Sequence, residues 1–295
     1  MRKDVLLLGI DGGGTSCRAR LTDREGRILG EGLAGPANIR YGLDASFSAV
    51  REAASQCLSK AGLPNAAPRT IACLALAGAV ETSNLAAVRS YPHPFHWAII
   101  TSDARAACIG AHAGRDGGIV IIGTGSIGWA IVGGEEHRVG GWGFPISDDG
   151  SGAWLGLEAL RRSLWARDGL IPSTGLSQAV LRQFEGDPYM VVREMHAAGP
   201  RKFASLVPLV VEHAGKSDRL ANELLELAAK HIDAIAARLI ALGVSRLSLM
   251  GGLAGRLEPL VSDQTRNSLV PPAGDALSGA LQLAREEANR LSEQV

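Results

Sequence analysis

Hydrophobic and polar positions along the first third of the chain predict three consecutive strands. The segment Val5–Ile10 is an almost unbroken apolar run, as expected for a buried strand. Arg18–Thr22 alternates apolar and polar residues, and Arg27–Gly32 follows it across the polar turn Asp23–Gly26. Two such segments joined by a short polar turn predict a β-hairpin.

Helices and strands alternate in the rest of this first third. The helical spacing of Phe47, Val50 and Leu58 on one face predicts the first helix. The predicted helices are Asp44–Ala61, Glu81–Ser90 and Ala104–His112, and the predicted strands are Thr70–Leu76 and Trp97–Thr101. This order of elements is typical of α/β proteins.

The opening pattern then returns. Gly118–Ile122 is again an apolar strand that enters a turn of small residues, and Ile127–Val132 and Glu135–Val139 are predicted to follow as strands. Two copies of strand, glycine-rich turn and strand indicate a duplicated domain with a cleft between the copies. The remaining predicted helices are Ser151–Ala166, Leu176–Phe184, Ala204–His213, Asp218–Leu242 and Ala276–Asn289, with one strand at Arg246–Met250.

Composition narrows the function classes. The 295 residues suit two domains, and 30 basic residues balance 30 acidic ones. A net charge of zero argues against nucleic-acid binding and against a polybasic membrane surface. No apolar run approaches the roughly 20 residues of a membrane span, so we expect a soluble, cytoplasmic protein. The four cysteines form no CxxC pair and fit reduced thiols better than disulfides or a zinc site.

The first strand ends in Asp11 and continues into Gly12, Gly13, Gly14 and Thr15. The glycines allow backbone N–H groups to approach an anion, and Thr15 adds a hydroxyl donor. The position of Asp11 suits a carboxylate that binds Mg²⁺. The motif is neither a Rossmann fingerprint nor a P-loop. Taken alone, it is equally compatible with an ordinary glycine hairpin.

Two later segments resemble this turn or complement it. The turn in the second half, which repeats the first, consists of Gly123, Thr124, Gly125 and Ser126. Gly251 and Gly252 end the strand near residue 250, where bare backbone would accommodate a flat ring. Each of these segments alone is also compatible with an ordinary tight turn.

Asp103 follows a strand and precedes a helix. It is a candidate helix N-cap and also a candidate general base at the carboxyl edge of the sheet, where α/β proteins bind ligands. Asn38 follows the third strand, where its amide would form an Asx-turn or bind a sugar hydroxyl.

The segment Gly140–Gly152 is a loop rich in glycine. Trp142 offers an apolar face for a sugar ring, next to Gly141. Asp148 and Asp149 offer carboxylates for hydroxyl groups, and either of them is also a candidate cap for the helix at Ser151.

In this order along the chain, the motifs resemble those of the BadF/BadG-type ATPases, within the superfamily of sugar kinases, Hsp70 and actin. The glucosamine kinase and N-acetylglucosamine kinase branch is the most similar. The segments that carry the resemblance are Asp11–Thr15, Ser102–Ala104, Gly123–Ser126, Gly251–Gly252 and Asp275–Ala280.

The resemblance implies an α/β protein with two ribonuclease-H-like, actin-like ATPase domains. Each would be a mixed five-stranded sheet with helices, and ATP would bind in the cleft between them. We expect domains at residues 1–113 and 114–295, with the C-terminal helix able to pack back across the cleft.

The resemblance further implies ATP-dependent phosphorylation of the 6-hydroxyl of an amino sugar, with glucosamine slightly favoured over N-acetylglucosamine. Asp103 would be the base, and Asp11 would hold Mg²⁺ through water. The amino sugar would contact Asn38, Asp103, Gly141, Trp142 and Asp148. The glycine turns with Thr15, Thr124 and Ser126, together with Gly251 and Gly252, would contact ATP. A homodimer is expected. The alternative is an activator ATPase that couples hydrolysis to a partner enzyme.

Overall fold

The computed structural model describes residues 5–79 and 82–293. The chain forms two compact units, one made of Met1–Asp116 with Pro271–Val295 and the other of Gly117–Val270. The first boundary lies close to the expected break after residue 113. The C-terminal segment, expected in the second domain with a helix able to pack back, belongs by its contacts to the first unit.

The first unit is built on a five-stranded mixed sheet. Its strands are β1 (Leu6–Gly12), β2 (Cys17–Thr22), β3 (Ile28–Ala34), β4 (Thr70–Leu76) and β5 (Trp97–Thr101). They lie in the order β3-β2-β1-β4-β5. Strands β1 to β3 form an antiparallel meander, and β4 and β5 run parallel to β1. The predicted five-stranded sheet is therefore confirmed for this unit.

The second unit carries a mixed sheet of four strands. They are β6 (Gly117–Ile122), β7 (Ser126–Val132), β8 (Glu135–Gly140) and β9 (Leu247–Met250), in the order β8-β7-β6-β9. The fifth strand expected here is reduced to one bridge between Leu247 and Leu269. Val270 still donates to the Leu247 carbonyl, but the next residues are Pro271 and Pro272, which have no backbone N–H to continue a ladder.

Helices surround both sheets. The described helices are α1 (Leu43–Lys60), α2 (Thr82–Ser90), α3 (Asp103–His112), α4 (Gly152–Arg167), α5 (Gly175–Arg182), α6 (Pro188–Met195), α7 (Pro200–Ala204), α8 (Val207–Ala214), α9 (Arg219–Ala241), α10 (Ala254–Leu257), α11 (Asp263–Ser268) and α12 (Ala276–Glu293). None of the helices in the described ranges is both long and apolar enough to cross a bilayer. Glu81, the expected start of the second helix, lies outside the described residues.

Several helices differ from the expectation. The helix expected over Ala204–His213 begins at Val207, because Pro208 has no backbone N–H to donate and therefore lies in the first turn of α8. The short helices α6, α7, α10 and α11 were not expected. The sequence of α6 does carry a start signal, since Asp187 accepts a hydrogen bond from the Tyr189 N–H and Pro188 follows the cap.

The core of the first unit lies between the sheet and α1. Leu6, Leu8 and Ile10 of β1 pack in one cluster with Phe47 and Val50 of α1. Gly9 points to the other face because successive strand residues alternate in direction. A Cβ at Gly9 would lie 2.9 Å from the Leu277 carbonyl oxygen, so α12 lies directly against β1.

The close approach of α12 explains why the C-terminal segment belongs to the first unit. Helices α3 and α12 cross where Gly110 of one faces Gly279 of the other. A Cβ on Gly279 would lie 2.7 Å from the Gly110 backbone nitrogen and would overlap the Ala106 carbonyl oxygen. Ala273 N–H also donates to the Ala111 carbonyl at 2.8 Å, just before α12 begins.

We expect Gly279→Ala to destabilise the protein by about 1–3 kcal/mol, because the added methyl group collides with rigid backbone. The measurement is the free energy of unfolding in urea. Gly255→Ala is the matched control, since a Cβ at that helical glycine meets no atom within 4 Å. It should change stability by no more than about 1 kcal/mol, in the stabilising direction. Equal effects of the two substitutions would contradict the close crossing.

Candidate active site

The first glycine turn connects β1 to β2 and is held by backbone hydrogen bonds. Gly13 N–H donates to the Ser16 carbonyl at 2.9 Å, and Ala37 N–H donates to the Gly13 carbonyl at 3.1 Å. A Cβ at Gly12 would lie 2.9 Å from the Ala37 Cβ, whereas one at Gly13 would meet nothing closer than 3.5 Å. Gly12 is therefore needed for packing, and Gly13 leaves the backbone open to an approaching anion.

Asp11 lies at the end of β1, directly opposite Arg18 on β2. Arg18 Nε and Nη2 donate to Asp11 Oδ2 at 3.1 and 2.6 Å. Burial raises the pKa of Asp11 above its usual value, and the hydrogen bonds and charge of Arg18 oppose this shift. Within the described residues no group donates to Asp11 Oδ1, so this oxygen is the one that suits a hydrated cation.

Arg18 contacts a second carboxylate. Its Nη1 donates to Asp275 Oδ2 at 3.1 Å, while Asp275 Oδ1 accepts from the N–H and the hydroxyl of Ser278, each at 3.0 Å. Burial tends to raise the pKa of Asp275, but the Ser278 hydrogen bonds and the Arg18 charge outweigh it and hold the pKa below its usual value. Two carboxylates thus share one guanidinium group.

Neither Arg18 nor Asp275 was predicted as a site residue. Asp275 belongs to a motif that supported the family resemblance, but its contact partner lies far away in sequence. For Arg18 a signal was present, because a hairpin with a four-residue connection from Gly13 to Ser16 places residues 11 and 18 opposite each other.

Asp103 is the first residue of α3, and Ser102 is its cap. The Ser102 hydroxyl accepts a hydrogen bond from the Arg105 N–H at 3.0 Å. Ser102 therefore takes the N-cap role for which Asp103 was a candidate. Asp103 Oδ1 accepts from the Ala104 N–H at 2.9 Å. The residue follows β5, which runs parallel to β1 and β4, so Asp103 and Asp11 lie at the same carboxyl edge of the sheet.

Asn38 lies beside the first glycine turn. Its Oδ1 accepts from the Arg40 N–H at 3.0 Å, which is the expected Asx-type contact. Its Nδ2 lies 3.9 Å from the position of a Cβ on Gly14. The structure therefore brings Asn38 together with the turn that begins at Asp11.

In the second unit, the turn Gly123–Ser126 is attached to the start of α4. Gly152 N–H donates to the Gly123 carbonyl at 2.8 Å, and Ala153 N–H donates to the Thr124 carbonyl at 3.0 Å. The Ser126 side chain, expected to contact ATP, is 3% exposed and donates to the Asp149 carbonyl at 2.8 Å. The Ser126 hydroxyl therefore stabilises the loop through this hydrogen bond. Thr124 is half-exposed and provides the more accessible hydroxyl of the turn.

The loop after β8 is tightly folded around Asp148. Gly143 N–H donates to Asp148 Oδ1 at 3.1 Å. Asp148 Oδ2 occupies the space that a Cβ on Gly125 would need. Asp148 thus joins the loop to the second glycine turn, whereas the Asp149 side chain is exposed. The Ser151 hydroxyl caps α4, so neither aspartate is needed for the capping role.

Trp142 lies at the surface of this loop and is 67% exposed. The Arg138 guanidinium lies 4.0 Å from the centre of a Trp142 ring. Arg138 also donates to the Gly140 carbonyl at 3.0 Å and to the Gly141 carbonyl. One face of the indole is therefore covered by Arg138, and the loop backbone next to it is held in place. Arg138 was not predicted as a site residue.

Gly251 and Gly252 follow β9 and have different surroundings. Gly251 has a φ of 96°, and a Cβ there would collide with the Ile122 backbone. A Cβ at Gly252 would meet nothing within 4 Å. Both glycines are exposed, but only the second has open space in the direction of a side chain.

The four cysteines are buried within secondary structure. They lie in β2, α1, β4 and α3, outside the glycine-rich loops. Burial raises the pKa of Cys17 and Cys73 to about 12 and that of Cys57 to about 11. Thiols with such pKa values are poor nucleophiles and poor metal ligands at neutral pH.

Known proteins match most of this chain. The model of the BadF/BadG/BcrA/BcrD ATPase family matches residues 8–283. A glucosamine kinase of Vibrio cholerae is 39% identical over 285 residues, which cover 96% of this chain and 97% of that protein. An N-acetylmuramic acid/N-acetylglucosamine kinase of Clostridium acetobutylicum is 29% identical over 77% of this chain and 76% of its own.

A solved structure also matches nearly the whole chain. The crystal structure of a candidate N-acetylglucosamine kinase from Chromobacterium violaceum is 35% identical in sequence. The TM-score is 0.90, with 96% of this chain and 100% of that chain covered.

Proposed function

The chain belongs to the BadF/BadG/BcrA/BcrD ATPase family, and from that premise we propose that it transfers the γ-phosphoryl group of ATP to the 6-hydroxyl of an amino sugar. The observation that carries the proposal is the common sheet edge of the first unit, where the glycine turn after Asp11 and the carboxylate of Asp103 both lie. Relatives named as amino-sugar kinases support the substrate class, and the 39% identity to a glucosamine kinase favours glucosamine.

Asp103 is proposed as the general base. Its carboxylate would accept the proton of the sugar hydroxyl while that oxygen forms a bond to the γ-phosphorus and the bond from the γ-phosphorus to the ADP oxygen breaks. Its place in the first turn of α3 and the hydrogen bond from the Ala104 N–H hold the carboxylate in a fixed direction. Phosphoryl transfer depends chiefly on positioning and charge stabilisation, so a well-aimed carboxylate is sufficient.

The phosphates are proposed to lie on the glycine turns. Gly13, Gly14 and Thr15 would donate from the first unit, and the turn at Thr124 would donate from the second. Asp11 Oδ1, which accepts no hydrogen bond from the described residues, fits a hydrated Mg²⁺, and such an ion would neutralise phosphate charge when bound with the nucleotide. The open backbone at Gly252 would accept the adenine ring.

The sugar is proposed to contact Asn38, Gly141, Trp142 and Asp148 in addition to Asp103. Trp142 supports this because its ring is exposed on one side and backed by Arg138 on the other. We further propose a cytoplasmic homodimer, on the grounds that the cysteines fit reduced thiols and that two-fold dimers are the commonest oligomers.

The first test is a coupled assay of ADP release with a panel of hexoses and amino sugars. We expect turnover to depend on added sugar and to be fastest with glucosamine, followed by N-acetylglucosamine. Product phosphorylated at the 6-position should accumulate in equal amount to ADP. Hydrolysis of ATP at the same rate with and without every sugar would favour the activator ATPase instead.

We expect Asp103→Asn to lower kcat about 10²–10⁴-fold with little change in the KM for ATP, as for the loss of a general base. Initial rates at saturating sugar provide the measurement. Asp263→Asn is the matched control, because Asp263 is also in the first turn of a short helix but is paired with Arg266 at the surface. An Asp103→Asn enzyme as fast as the control would exclude Asp103 as the base.

We expect Trp142→Ala to raise the KM for the sugar about tenfold, which corresponds to about 1.4 kcal/mol of lost contact. The KM for ATP should stay within about twofold of the original value. Trp165→Ala, which removes a half-exposed tryptophan from α4, is the control and should leave both constants unchanged. A selective rise in the KM for ATP would contradict the assignment of Trp142 to the sugar.

A further inference from the structure

We propose that Arg18 is a positioning residue for nucleotide binding, which neutralises Asp11 and Asp275 and holds both carboxylates at the first glycine turn. The inference rests on the proposed function, because it places the phosphates of the nucleotide on that turn. It goes beyond the family resemblance, whose motifs include the two aspartates but give no role to an arginine between them.

The geometry requires a forked cation. Arg18 reaches Asp11 through Nε and Nη2 on one side and Asp275 through Nη1 on the other, with distances of 2.6 to 3.1 Å. The two carboxylates come from the end of β1 and the start of α12 and are 264 positions apart in sequence. A planar guanidinium can bridge two separate acceptors, whereas a lysine ammonium is a compact point charge.

The charge balance at the turn depends on this arginine. Two carboxylates and one guanidinium leave a net charge of about −1 beside the glycine turn, and removal of Arg18 would make it about −2. Metal-free ADP carries about three negative charges and MgADP about one. Added repulsion grows with the charge of the ligand, so the loss of Arg18 should affect metal-free ADP more strongly.

Arg18 also connects elements that are distant in sequence. The chain re-enters the first unit at Pro271, and Asp275 lies four residues later, at the start of α12. Helix α12 is already held against β1 and α3 by glycine contacts, so its start cannot shift far. Through Arg18, Asp11 is therefore linked to Asp275, whose backbone is held in place by the packing of α12.

The experiment is isothermal titration calorimetry of the full chain at pH 8 with ADP, once with excess Mg²⁺ and once with EDTA. For Arg18→Gln we expect metal-free ADP to bind about tenfold more weakly and MgADP about threefold more weakly. Arg18→Lys keeps the charge but loses the fork, so its losses should be smaller for both ligands. Thermal unfolding of each variant confirms that the folded protein is being compared.

The matched control is Arg27→Gln. Arg27 lies just before β3 and is paired with Asp23 at 2.9 Å, in the hairpin connection at the other end of β2. It should leave both affinities unchanged. Equal losses for ADP and MgADP in Arg18→Gln, or the same losses in Arg27→Gln, would overturn the role of Arg18 and leave the kinase proposal intact. Failure of the unaltered protein to bind either ligand would overturn both.

Discussion

The close contact of α12 with α3 and β1 is the constraint on which the rest of the first unit depends. Glycines at positions 9, 110 and 279 remove the side chains that would otherwise separate these elements. Because α12 lies so near to β1, the start of the helix brings Asp275 within reach of Arg18. The same contact fixes α3, whose first residue is Asp103. One packing feature therefore determines the positions of three charged groups.

The sequence predicts most of the first unit because its signals are local. The apolar run of β1, the hairpin and the helical spacing of α1 each identify an element without knowledge of the rest of the chain. The family resemblance, which the family match confirms, then implies a mixed five-stranded sheet, and the order of its strands comes from the structure. The place of residues 271–295 was predicted less sharply, since the C-terminal helix was expected in the second domain but able to pack back. Its contacts with the first unit involve glycines that are more than 150 positions apart, and neither periodicity nor turn signals report on such contacts.

The residues of the candidate site also fall into those that local sequence signals identify and those that only distant contacts reveal. Residue types and spacing were sufficient to single out the glycine turns, Asp103 and the loop at Trp142. They were not sufficient for Arg18 and Arg138, because arginines on strands normally indicate only a solvated face. What distinguishes these two is the set of acceptors around each guanidinium, which only the folded chain shows. Ser126 illustrates the converse, since a hydroxyl that looked suitable for a phosphate is committed to the Asp149 carbonyl.

Within the glycine turns, the structure separates two physical roles that the sequence does not distinguish. Gly12, Gly125 and Gly251 have neighbours that a Cβ would strike, so they are required by packing. Gly13 and Gly252 face open space or ordinary contacts, so they leave backbone exposed. A side chain would be tolerated by the surroundings only at the second kind. Substitution of Gly12, Gly125 or Gly251 would change the stability of the fold as well as any binding of a ligand.

The two glycine turns are therefore similar in sequence but different in chemistry. The first has an exposed residue at Thr15 and a half-buried carboxylate whose charge is balanced by Arg18. The second is held by backbone hydrogen bonds to α4 and by the contact of Asp148 with Gly125. The first turn therefore positions a carboxylate and a guanidinium together, whereas the contacts at the second turn fix the course of its backbone.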